Sequence, residues 1–459
     1  MQVSLTEGKI STLLIKFSLP LLVSSIISMA YHAVDVIIVS WSASPASLAG
    51  AGNGAALAMS LAGIFFGFAS GGMILLGQYY GAKQTENTAK TVGNIIILQA
   101  AVAIVGTSLV FIFGRLLVRV TNVPLEPDEK GLNAAGEAWN YMRICASGLV
   151  FQAGYNTISS MLRALGNSKA PLVFVSISCT VNICLDLIFV SVLQMGASGA
   201  ALATIIAQAV SFLIAFMYVR RNKLPFAFSS KDIRPDKGIL KTVLRLGLPI
   251  SVQTILNTLS FIVIGAIINK MGLFASSANG IVNNLANLFM IVPLALGSAL
   301  SAISAQNLGA GKTERALKSA KLGILFSLVV AVPAMLFASL SPETICSVMT
   351  PNPDVLKASS EFLIPFSWDF MLVCFVFCIN GLFNGCGITT FVAIHETVAA
   401  FAVRIPVSWA FTFLPGATLF HVGIGTPAAT LASLIMCLVY YKAKLSGGKL
   451  AKLKIAGTA

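Results

Sequence analysis

Charge is the scarcest property of this sequence. Asp, Glu, Lys and Arg together supply 10% of its 459 residues, against about 25% in an ordinary soluble domain. A water-soluble surface is thereby excluded. Cysteine is thin as well: none of the eight forms a CxxC pair, and Cys145, Cys179, Cys184, Cys374, Cys378, Cys386 and Cys437 fall in apolar segments. They read as reduced packing thiols rather than a disulfide or zinc framework. Histidine is rarer still, and His32, His395 and His421 lie too far apart for an HExxH-like metal pattern. No nucleophile-and-base constellation is visible, so an enzyme is not expected. Gly309-Ala310-Gly311-Lys312-Thr313 ends like a phosphate-binding loop, but Gln306 stands where that loop requires glycine. Its counterpart, Gly81-Ala82-Lys83-Gln84-Thr85, reads as the same helix-breaking turn. Gly50-Ala51-Gly52-Asn53-Gly54 has no following strand and specifies no dinucleotide site.

Apolar residues are present in abundance, 57% of the chain with mean hydropathy +0.88. Runs such as Ile95 to Phe113, Leu172 to Val192 and Leu322 to Leu340 approach or exceed the roughly 20 residues a helix needs to cross a bilayer. Twelve spans are expected, near 10–40, 48–78, 91–119, 135–163, 170–194, 197–220, 239–269, 276–305, 317–340, 357–385, 389–415 and 422–445. The fold class is therefore all-α, a polytopic membrane protein with two six-helix lobes. Residues 1–220 form the first lobe, 221–238 a basic cytoplasmic linker, and 239–459 the second lobe with a basic tail.

The net charge of +14 does not indicate nucleic acid, because the basic residues sit in alternate loops. Arg220, Arg221, Lys223, Lys231, Arg234, Lys237, Lys241 and Arg245 crowd the linker; Lys312, Arg315, Lys318 and Lys321 follow span eight; Lys442, Lys444, Lys449, Lys452 and Lys454 form the tail. The opposite loops, such as 42–46 and 415–418, carry none, which places both termini in the cytoplasm. The loop after span three breaks the trend mildly, with Lys130 offset there by Glu126, Asp128 and Glu129. The first apolar segment runs past Pro20 without a small-residue cleavage site, so it reads as an uncleaved span.

The two lobes are copies. The stretch from Leu19 to Lys90 reappears about 228 residues later: Leu19-Pro20 matches Leu248-Pro249, Thr85-Glu86 matches Thr313-Glu314, Gly166 falls opposite Gly387, and Gly199 with Ala203-Thr204 falls opposite Gly425 with Ala429-Thr430. Duplicated halves in so apolar a chain indicate a transporter, whose lobes expose a cleft to alternate sides of the membrane.

Acids inside spans are costly and mark functional sites by default. Asp35 lies near the outer end of span one. Asp186 lies about 16 residues into span five, roughly 25 Å of rise, so both reach similar depth in one lobe. Tyr31 and Asn182 each precede their aspartate by four residues and share its helix face. Thr204 comes to the same depth, with Asn156 somewhat deeper. Carboxylates with amide and hydroxyl oxygens suit a hard cation such as sodium, or a shared proton; a packing network is the alternative. Pro20 bends span one and is read as a hinge or a static kink. The second lobe has Ile264 and, approximately, Ser408 opposite the two aspartates. Its polar residues are mostly amides (Gln253, Asn257, Asn279, Asn283, Asn284, Asn287), with Asp369 and Arg404 expected as an ion pair near mid-depth. The many Phe and Met residues suit an adaptable apolar cavity.

Leu-Pro early in spans one and seven, Tyr31-x3-Asp35, the paired Gly-Ala loops, Leu162-Arg163-Ala164-Leu165-Gly166 and Ala278-Asn279-Gly280-Ile281 together resemble the multidrug and toxic compound extrusion (MATE) family over essentially the whole chain. Within it, the chain is similar to the prokaryotic DinF-like/MepA-like branch. That resemblance implies a cation site at Asp35, Asn156, Asn182, Asp186 and Thr204. The NorM branch has acids on helices seven and ten; here Asn257 occupies helix seven and Asp369 sits too early on helix ten for that pattern. The family further implies export of bulky, often cationic amphipathic compounds, exchanged for inward Na+ or H+ with no other cofactor. Expected partners are those small molecules and membrane lipids, with no nucleic acid, for a monomer in the bacterial cell (inner) membrane. A flippase for a lipid-linked precursor is the alternative within transport, and a receptor or channel without antiport the alternative outside it.

Overall fold

The computed structural model describes residues 4–42, 44–120, 132–222, 224–447, 449–453 and 455–456. Glu126, Asp128, Glu129, Lys130, Lys223 and Lys454 lie outside them. The described residues form helices and no strand: α1 (Ile10–Ser42), α2 (Pro45–Gly81), α3 (Thr85–Val120), α4 (Ala134–Ser147), α5 (Leu149–Ala164), α6 (Lys169–Asp186), α7 (Gly196–Arg221), α8 (Lys237–Asn269), α9 (Leu273–Gly309), α10 (Thr313–Leu340), the short α11 (Pro342–Ser347), α12 (Pro353–Gly385), α13 (Thr389–Val398), α14 (Ile405–Phe411), the short α15 (Leu419–Gly423) and α16 (Gly425–Tyr440). Among the described residues, eleven helical stretches are long and apolar enough to span a bilayer. The twelfth expected span, 135–163, is present but broken at Gly148, where α4 ends and α5 begins. Span eleven is likewise α13 and α14 joined through a π-helical turn, Ala399–Arg404, and α6 ends in another, Leu187–Val192.

Large apolar side chains are exposed on the surface, and some polar ones are fully buried inside beside the apolar core. Ile104 and Val329 are 68% and 65% exposed, whereas Gln78, Asn94, Asp186 and Ser327 are fully buried. Lipid tails solvate apolar side chains but offer polar groups no partner, so the polar groups turn inward.

Two compact units result. One contains Val23–Tyr80 and Gln84–Ser251; the other contains Ser4–Leu22, Gly81–Lys83 and Val252 onward. The basic linker therefore lies within the first unit, and the exchange between units comes inside two helices. α1 changes unit between Leu22 and Val23, three residues after Pro20, and α8 changes between Ser251 and Val252, three after Pro249. In the first unit, α2 meets the opening of α8 so closely that a Cβ on Gly71 would lie 2.5 Å from the Gly247 amide nitrogen. Ser251 Oγ then donates to the Ile64 carbonyl at 3.1 Å. Small residues let the backbones approach, as helix pairs in membranes require.

The repeat is visible in backbone conformation. Gly166 and Gly387, each just past a helix end, have φ of +85° and +81°, and Lys83 and Gly311, at equivalent places in the paired Gly-Ala turns, have +59° and +70°. The second turn holds no phosphate-binding loop. Its Lys312 Nζ donates to the Thr6 carbonyl at 3.0 Å, Arg315 donates to the Glu7 and Gly8 carbonyls at 2.6 and 2.7 Å, and Asn307 Nδ2 donates to the Leu5 carbonyl at 3.0 Å. Four consecutive main-chain oxygens of the strap before α1 are thus held within the second unit, with the Leu5 side chain fully buried.

Candidate functional site

The first unit encloses a cavity of about 340 Å³ lined by α1, α2, α4, α5, α6 and α7. Its wall includes Tyr31, Asp35, Asn156, Asn182 and Thr204, and no Lys or Arg. Asp186 lies directly behind Asn182 and is fully buried. Asn182 Nδ2 donates to Asp186 Oδ2 at 2.8 Å, while its amide oxygen accepts from the Thr204 backbone amide at 3.2 Å. The i, i+4 spacing on α6 makes the first of these bonds, and the small-residue start of α7 the second. Ala197, Ala200 and Ala201 there pack against Ile38 and Val39 of α1. The π turn begins immediately after Asp186; such turns interrupt the regular helical register and recur at functional sites.

The carboxyl groups of Asp35 and Asp186 meet within hydrogen-bonding reach of each other. That contact is favourable only with a proton or a cation between them. One oxygen of each, Asp35 Oδ1 and Asp186 Oδ1, is buried without a donor, and the Thr204 hydroxyl has no well-formed partner although the Tyr31 and Tyr141 hydroxyls approach it. Three unpartnered oxygens in an apolar interior are costly unless something fills the gap. A sodium-sized hard cation fits that donor set, as does a proton held between the carboxyls. Pro20 is not part of this cavity; it lies in the portion of α1 that belongs to the second unit.

A smaller cavity of about 70 Å³ lies in the second unit, lined by Asn257, Phe261, Asp369, Glu396, Arg404, Thr430 and their apolar neighbours. Asp369 and Arg404 share it but form no direct ion pair, contrary to the expectation; among the described residues the salt bridge is Lys90–Glu86 on α3. Arg404 instead donates from Nη1 to Asn257 Oδ1 at 3.1 Å and to Ser260 Oγ at 3.5 Å, and its guanidinium sits 4.4 Å from the Phe261 ring centroid. Asp369 leans on Thr430. Gln253 reaches Glu396, whereas Asn283 turns away and donates to Asn279 at 3.0 Å.

Sequence reasoning missed Glu396, an acid seven residues inside the expected span eleven. It accepts from Asn380 Nδ2 at 2.7 Å, and Asn380 Oδ1 in turn meets His395 Nε2 at 3.0 Å. Depth counting alone could have found it. Tyr141, Gln152, Tyr155 and Gln208 also line the first cavity, and nothing in their spacing announces that.

The MatE family model matches residues 20–188 and 249–410, one match per repeat, and takes in most of both cavity walls, with Thr204 and Thr430 outside the matched residues. The chain belongs to the MatE family. It is a polytopic membrane transporter, not an enzyme. A probable multidrug resistance protein of Bacillus subtilis, YoeA, is 26% identical over 437 residues, 93% of this chain and 92% of that protein. A second from the same organism, YpnP, is 26% identical over 440 residues, 95% of this chain and 96% of its own. Among solved structures, an outward-facing multidrug resistance MATE transporter superposes with TM-score 0.89 at 19% identity, covering 99% of this chain and 100% of that one. This MatE transporter thus shares the fold of that structure over 99% of its length.

Proposed function

We propose that the protein is a secondary active antiporter of the bacterial cell membrane, exporting amphipathic, often cationic organic compounds in exchange for inward Na+ or H+. The observation that carries this reading is the contact between the Asp35 and Asp186 carboxyls, with unpartnered oxygens around it and no Lys or Arg among the described residues of the cavity wall. Such a pair changes its electrostatic state when one monovalent cation arrives or leaves. Asn182 holds Asp186 in place and Thr204 completes the oxygen set, while Asn156 faces the same cavity. Tyr31 and Tyr141 line it with rings that accept apolar or cationic solutes. The protein acts as a monomer among membrane lipids with both termini in the cytoplasm, consistent with its basic loops. The cavity wall without Lys or Arg disfavours a flippase that would grip a lipid-linked pyrophosphate.

Everted vesicles loaded through the normal chain should accumulate a cationic dye while an ion gradient stands, and lose it when both sodium and proton gradients are collapsed. Asp35→Asn keeps the side-chain shape but cannot change charge, so accumulation should fall to background at unchanged expression. Near-normal accumulation in that variant would sink the reading. Ion currents in the absence of any organic solute would point to a channel instead.

A further inference from the structure

The two cavities differ in one bookkept quantity. The first has two carboxyls at its wall, Asp35 lining it and Asp186 behind Asn182, and among the described residues neither Lys nor Arg lines it. The second also holds two, Asp369 and Glu396, but Arg404 lies among them. With its arginine in place, the second cavity has the formal charge that the first reaches only after taking up one monovalent cation. Arg404 is also positioned as a shared counter-ion rather than as one partner of a pair. It forms no direct ion pair with either acid, its guanidinium interacts electrostatically with both, and its Nε is buried without an acceptor. Asn257, Ser260 and the Phe261 face fix it in that place. Glu396 is meanwhile held by Asn380 and Gln253. At about 70 Å³, against a share of about 30 Å³ per water in the liquid, the remaining space suits a couple of waters rather than an organic solute.

We infer that Arg404 is a tethered cation occupying the second unit's acidic site, so the transporter takes up one exchangeable monovalent cation per chain, in the first unit only. The inference rests on the function proposed above and adds the ion count and the residue that sets it. A guanidinium on a side chain cannot leave with the ion gradient. It therefore holds Asp369 and Glu396 at a single net negative charge throughout the cycle, whereas the Asp35–Asp186 pair must exchange its cation with the bath.

The test counts cations on the purified full chain, as radioactive sodium bound at equilibrium together with protons taken up on a pH jump, each variant compared with the unchanged protein. Arg404→Met should bind one cation more, Arg404→Lys no more, and Arg404→Met with Asp369→Asn should return to the original count. An unchanged count in a folded Arg404→Met variant overturns the inference, and so does a surplus that survives Asp369→Asn. If Arg404→Met does not fold, Asp369→Asn alone still decides. It should leave the count unaltered, and loss of the bound ion there would place an exchangeable site in the second unit. Asp35→Asn separates the two claims: it should abolish the single binding event. Full binding in Asp35→Asn beside a raised count in Arg404→Met would remove the proposed first-unit site and leave the role of Arg404 standing.

Discussion

Asn182 and Thr204 make unequal contributions to the carboxyl pair. Asn182 joins Asp186 to the α7 backbone through both ends of its amide, so Asn182→Ala should loosen the position of Asp186 as well as remove a ligand. Thr204→Ala removes only a hydroxyl that has no well-formed partner at rest. A hydrogen bond or ligand to a charged group is worth about 1.5–3 kcal/mol, so Thr204→Ala should raise the half-saturating ion concentration about tenfold or more, with the maximal rate of dye export nearly kept. Asn182→Ala should lower both affinity and rate. Export measured against ion concentration in proteoliposomes separates the outcomes, and equal tolerance of both variants would mark the cluster as packing alone. The aspartates were legible in sequence because helical rise converts residue number into depth, and the i, i+4 rule supplies Tyr31 and Asn182. Tyr141 and Gln208 were not, because their facing depends on how α4 and α7 rotate against their neighbours. The partners of Arg404 were hidden for a related reason: equal depth with Asp369 does not fix distance, and an aromatic face with two neutral oxygens was nearer.

At the scale of the element, the duplicated Leu-Pro pairs sit where α1 and α8 change unit. Proline lacks the amide donor that would bond the carbonyl four residues earlier, Lys16 in α1 and Arg245 in α8, and its ring crowds that carbonyl. Pro20→Ala should supply the missing hydrogen bond to the Lys16 carbonyl within α1 and remove the ring clash, a gain of up to about 3 kcal/mol and enough to shift a two-state equilibrium more than a hundredfold. Spin-label distances between the first and second units should then narrow to one population and dye export should slow; an unaltered distribution with unaltered export would make Pro20 a passive feature of the helix. The paired Gly-Ala turns offer a second test. Lys83 has φ +59° where its repeat partner is Gly311, and a left-handed conformation costs an L-residue about 1–2 kcal/mol. Because Lys83 is exposed, Lys83→Gly should raise thermal stability by about 1 kcal/mol or less after the entropy of glycine is subtracted, whereas Gly311→Lys should lower it. Differential scanning fluorimetry in detergent reads both. The Gly71→Leu change belongs to another class. It drives a side chain into the α8 backbone at Gly247, and the expected result is loss of folded protein, measured by monodispersity on size exclusion.

For the molecule as a whole, hydropathy and the internal repeat made nearly all the helices legible, since lipid demands long apolar helices and duplication marks their equivalents. Two features were not accessible that way: the break at Gly148, where composition alone continues a span, and the exchange of helix segments between units, which no local pattern encodes. The strap before α1 belongs with the second of these. Asn307, Lys312 and Arg315 hold its backbone oxygens and read none of its side chains. The docking is therefore a measure of length rather than of spelling. Thr6 and Glu7 can be rewritten freely, and an epitope of equal size threaded through them should leave the protein intact. Removing two residues there should not, because the buried Leu5 would be pulled out of register with its pocket, and the amino end of this chain is better used as a ruler to be kept than as a tail to be trimmed.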